Sequence, residues 1–70
     1  MKYTVILEFT QEDGVYLVQV PAFPEVHTYG ETVDEATANA REAIELAIEM
    51  YLEEGKSLPD DPTAIVEVVL

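Results

Sequence analysis

Seventy residues with a formal net charge of −12 and no cysteine leave room for one domain, spanning 1–70, without disulfides or thiolate metal sites. Only Lys2, Arg41 and Lys56 are basic, so direct nucleic-acid binding, which needs Lys and Arg against phosphate, is not expected. The acidic balance suits a basic protein partner, although the same charge also serves solubility alone.

Residues 1–10 alternate, with Tyr3, Val5, Leu7 and Phe9 on one side and Thr4, Ile6, Glu8 and Thr10 on the other. That period of two predicts a half-buried strand. Gln11-Glu12-Asp13-Gly14 is a hairpin signal, and residues 15–20 form a second strand that Pro21 ends. Phe23, between Pro21 and Pro24, is expected to fold back on the core. Residues 26–29 are a brief third strand, leading through Gly30 into a helix.

The helix is the longest element. Thr32 and Glu35 have the spacing of a capping box, in which the threonine hydroxyl takes the N–H of residue 35 and the Glu35 carboxylate that of residue 32. Glu31, Asp34 and Glu35 place negative charge at the positive end of the helix dipole. Gly55 sits where a left-handed residue would end it. Between these signals Val33, Ala36, Ala40, Ala43, Ile44, Ala47, Ile48 and Tyr51 share one face, and Asp34, Glu35, Glu42, Glu45, Glu49 and Glu53 the other. Small alanines let such a helix lie close on a sheet, while Leu46 and Met50 widen the apolar face to one side.

Residues 56–62 are a loop stiffened by Pro59 and Pro62. Residues 64–70 read as a fourth strand. The expected fold class is therefore α+β, in the order β-β-β-α-β. A right-handed crossover would place strand four parallel beside strand one, giving a four-stranded mixed sheet of order 3-2-1-4 with the long helix on one face. The other sheet face stays open, and the long apolar last strand favours a homodimer or a dimer of dimers.

Chemistry has little purchase on this chain. Glu42, Glu45 and Glu49 share a helical stripe, but a hard-cation site needs oxygens converging in a cavity, and a convex face offers none. His27 is the one histidine, and without a nucleophile at motif spacing it reads as a strand residue before a catalytic one. No cofactor, metal or enzymatic activity is expected. No apolar run approaches a membrane span, and the N-terminus lacks a signal-peptide layout, so the expected compartment is cytoplasmic.

Several stretches taken together resemble the HicB-like antitoxin family: Gly14-Val15-Tyr16-Leu17-Val18-Gln19-Val20-Pro21, then Phe23-Pro24, then Thr28-Tyr29-Gly30-Glu31-Thr32-Val33-Asp34-Glu35-Ala36. Asn39-Ala40 with Glu42-Ala43-Ile44, and Glu54-Gly55 followed by Leu58-Pro59, continue the likeness over nearly the whole chain. The chain departs from the family pattern at Glu25-Val26, where Gly-Cys is common. It also ends at Leu70 without the DNA-binding domain of longer members, so it reads as a short form in which autorepression through DNA is not expected. The resemblance implies a fold similar to part of a ribonuclease H sheet, without that enzyme's catalytic carboxylates. It also implies a partner, a small basic mRNA-cleaving toxin of the HicA type, which the antitoxin would bind and mask. Candidate partner-binding residues are Glu42, Glu45, Glu49 and Glu53 on the helix, and Glu25 and His27 around strand three. The alternative is an orphan oligomeric binding module with no toxin partner.

Overall fold

A computed structural model describes residues 2–69. Strands β1 (Ile6–Thr10) and β2 (Val15–Gln19) form an antiparallel hairpin in the register Ile6↔Gln19 to Thr10↔Val15. The period of two sends Leu7, Phe9, Tyr16 and Val18 to the helix side, and Ile6, Glu8, Leu17 and Gln19 to the open side. The short β3 (Thr28–Gly30) adds antiparallel to β2, with Tyr29 opposite Leu17.

Between β2 and β3 the chain makes two tight turns, in which Phe23 N–H donates to the Val20 carbonyl at 2.9 Å and Val26 N–H to the Phe23 carbonyl at 3.0 Å. These turns drive the Phe23 ring into the core, where it is fully buried, as its place between two prolines predicts. The rings of Tyr3 and Tyr51 meet it edge-on at 5.0 and 5.4 Å, the arrangement aromatic quadrupoles favour. Val18, Val20, Ala22 and Val26 complete this layer, against Ala36, Ala40 and Ala47 of the helix.

Helix α1 (Val33–Glu53) starts where its cap predicts. Thr32 Oγ1 accepts the Glu35 N–H at 3.0 Å, while the Glu35 carboxylate takes the N–H of Glu31 at 3.3 Å, one residue earlier than a standard box. At the other end Gly55 has φ 71, its N–H donates to the Leu52 carbonyl, and the Lys56 N–H donates to the Tyr51 carbonyl. This is a complete Schellman closure. Gly30 sets the distance between sheet and helix, because a Cβ there would lie 2.2 Å from the Ala36 nitrogen. Asn39 ties the same corner by donating to the Tyr29 carbonyl at 2.8 Å.

Among the described residues the expected fourth strand does not form. The sheet is three-stranded and antiparallel, in the order β1-β2-β3, rather than four-stranded and mixed in the order 3-2-1-4. Only the broad α+β class holds. The cause lies just before the segment concerned. The Asp61 carboxylate accepts from both the N–H and the hydroxyl of Thr4, at 2.7 and 2.6 Å, and from the Thr63 N–H at 3.0 Å. A side chain thus takes the Thr4 N–H beside the start of β1, where a neighbouring strand would offer a carbonyl, and Pro62 has no N–H to give. Tyr3 adds a second tie, its hydroxyl donating to the Pro59 carbonyl at 2.8 Å. Beyond this clasp Ile65, Val66, Val68 and Val69 are 75–94% exposed. The first and third strands are also shorter than expected. Met1 and Leu70, the outer ends of two expected strands, lie outside the described residues.

Candidate functional site

The outward face of α1 follows from its period. At about 100° per residue, Glu42, Glu45, Glu49 and Glu53 lie on the side away from the buried Ala36–Ala40–Ala47 stripe. Leu46 and Met50 run along one edge of this acidic face, 59% and 50% exposed. Glu45 stands at the other edge of the same face, one turn before Glu49. It pairs with Arg41 at 3.4 Å, and both side chains remain largely in water. Lys2 and Tyr3 line the same shallow depression as Arg41 and Glu45.

The two candidates near β3 are separated. Glu25 turns to the C-terminal end of the helix, lining a depression of about 290 Å³ with Ala47, Met50, Tyr51, Glu54 and Lys56. Its carboxylate raises the Tyr51 phenol above its ordinary pKa, first by hydrogen bonding, with partial desolvation and the carboxylate charge adding to it. Lys56 pairs with Glu54 at 2.8 Å and sits 5.6 Å from the Tyr51 ring centre. The Glu54 hydrogen bond and charge raise the lysine pKa. His27, although close to Glu25 in sequence, is exposed beside the sheet. It lines two adjoining depressions of about 300 and 290 Å³, sharing Val18 and Gln19 with both.

The structure therefore gathers Glu25 with Met50, at the end of the helix that carries Glu42, Glu45, Glu49 and Glu53, and leaves His27 on another surface. Sequence reasoning did not foresee the Glu25–Tyr51 contact or the Asp61 clasp. Neither has a sequence signature, since each joins segments far apart in the chain. Among the described residues no group of three His, Cys, Asp or Glu could hold a metal ion. No helix there is long and apolar enough to cross a membrane.

Fold and surface together give a small α+β domain: a three-stranded antiparallel sheet backed by one helix with an acidic, partly apolar outer face. The comparisons with known proteins agree on its kin. The family described as "HicB_like antitoxin of bacterial toxin-antitoxin system" matches residues 3–69. A UPF0150 protein of Archaeoglobus fulgidus is 41% identical over 99% of this chain and 93% of its own. Antitoxin HicB 1 of Photorhabdus laumondii is 41% identical over 84% of this chain but only 37% of its own length. The crystal structure of the N-terminal domain of Burkholderia pseudomallei antitoxin HicB superposes with a TM-score of 0.78 at 34% identity, covering 91% of this chain and 74% of that one. The chain belongs to the HicB-like antitoxin family, a family of antitoxins rather than enzymes.

Proposed function

We propose that this antitoxin-like protein binds a small basic HicA-type toxin and masks its mRNA-cleaving surface. The observation that carries the reading is the acidic face of α1, with Glu42, Glu49 and Glu53 beside the exposed Leu46 and Met50. Charge of this sign draws in a basic surface, and the apolar edge supplies contacts that hold it. Glu25, beside Met50, extends the face. Glu45 is a weaker contributor because Arg41 offsets its charge, and His27 would serve only a partner that wraps round to the sheet. A toxin's RNA-binding cations would meet carboxylates in place of phosphates, so the antitoxin competes with RNA for the same groups.

The reading includes self-association, a cytoplasmic location alongside mRNA, and no direct contact with nucleic acid. Of the three basic residues, Arg41 and Lys56 are already paired with Glu45 and Glu54. The test is coexpression with a basic HicA-type toxin, followed by an RNA-cleavage assay. Inhibition at one antitoxin per toxin is expected. Failure of a folded toxin to bind at any salt concentration would leave the orphan oligomeric module.

A further inference from the structure

We propose that the depression at the C-terminal end of α1 receives one arginine side chain of the basic partner, and that Lys56 is a resident cation which that arginine displaces. The inference deepens the antitoxin reading and rests on it for the partner, while the pocket is argued from this chain alone. Three kinds of group line the depression of about 290 Å³: the carboxylates of Glu25 and Glu54, the Tyr51 ring, and the Met50 thioether. A long cationic side chain uses all three. Its stem lies on apolar surface, its charge rests on an aromatic face, and its N–H groups meet carboxylate oxygens.

Lys56 shows which kind of group the depression takes. Its Nζ lies 2.8 Å from Glu54 and 5.6 Å from the Tyr51 ring centre. The surroundings favour positive charge: Glu54, by hydrogen bond and then by charge, raises the lysine pKa against partial desolvation, and Tyr51 and Glu25 add to it. The last turn of α1 has no basic residue, so the negative pole of the helix draws on a cation from outside it. Yet Lys56 is loosely held. Its backbone N–H is fixed on the Tyr51 carbonyl, but its side chain is 62% exposed, and an exposed ion pair of this kind adds little stability. Glu25 is left over. Its carboxylate accepts the Tyr51 hydroxyl, and neither ion pair among the described residues uses it. Arginine fits this place better than lysine. Its planar guanidinium stacks on a phenol ring and carries five N–H donors, enough for Glu54 and Glu25 together, whereas an ammonium acts as a point charge. The exchange therefore selects a partner that offers arginine there, at the end of the acidic helix face.

The test measures Kd for a basic HicA-type toxin. Lys56→Ala empties the depression, and Lys2→Ala, beside a different depression, removes the same charge. Lys56→Ala should tighten binding about 5-fold more than Lys2→Ala, because no resident cation then competes. Glu54→Gln should weaken it about 10-fold. The toxin's arginines are next changed to lysine one at a time. One such change should weaken binding to the native chain about 10-fold and binding to Glu54→Gln far less, the non-additivity of two groups in contact. In nuclear magnetic resonance spectra, the Tyr51 ring current displaces the Lys56 side-chain signals of the free protein, and bound toxin should return them to the positions of a lysine in water. Equal gains from Lys56→Ala and Lys2→Ala, Lys56 signals that do not move, or no toxin arginine coupled to Glu54 each overturn the inference and leave the antitoxin reading standing. A folded toxin that does not bind the native chain defeats that reading and this inference with it.

Discussion

Asp61 is the side chain on which the C-terminal third turns. Three donors from Thr4 and Thr63 surround its carboxylate, first among them the Thr4 hydroxyl, and hold its pKa at about 2 against an ordinary 3.8. Because the folded value is the lower one, the ionised form favours the fold. That contribution is fully present above about pH 4 and is lost as the pH falls through about 2. Asp61→Asn should therefore lower the melting temperature at pH 7 and flatten its fall between pH 4 and pH 2, both read by thermal denaturation across pH. Gly30 is the second sensitive position. Gly30→Ala would drive a methyl group into the Ala36 backbone, so β3 and the helix must separate. The loss of stability should exceed the ~1 kcal/mol typical of point changes, measured by urea denaturation.

Helix α1 was legible because its determinants are local. Thr32, Glu35 and Gly55 lie within a turn of the backbone groups they satisfy, and the alanine stripe needs only the helical period. The same locality makes a prediction: Thr32→Ala leaves the Glu35 N–H without its acceptor and should cost about 1 kcal/mol. Urea titration followed by circular dichroism would read this as a lower midpoint with an unchanged slope. The strand pattern in 64–70 was equally plain, but a strand's pattern says nothing about its neighbour. What decides the pairing is Asp61 reaching Thr4, a contact between the two ends of the chain that no window of sequence contains. Phe23 lay between these cases, since its flanking prolines announced a turn and its size required burial. The site divides in the same way. Glu42, Glu45, Glu49 and Glu53 were readable as one face by period, whereas the turning of Glu25 to Tyr51 and Met50, away from His27, depends on the loop between β2 and β3.

The whole molecule presents two surfaces of different character: the acidic outer face of α1 with Leu46 and Met50 at its edge, and the apolar segment 65–69 with the open edge of β1. The first suits a basic partner, and it lies on a different element from the second. The central claim is that the helix face captures the toxin, and association kinetics test it most directly. Antitoxin with Glu42, Glu49 and Glu53 all changed to Lys is compared with the native chain and with Glu45→Lys, against a basic HicA-type toxin at two salt concentrations. Long-range attraction acts on the association rate and is screened over about 8 Å at physiological salt. The triple variant should associate at least ~10-fold more slowly at low salt. Glu45→Lys should change the rate far less, and added salt should slow the native chain while leaving its dissociation nearly constant. Equal association rates for the native and triple-variant chains, with the toxin still bound and inhibited, would contradict the claim and move the contact to the surface around His27.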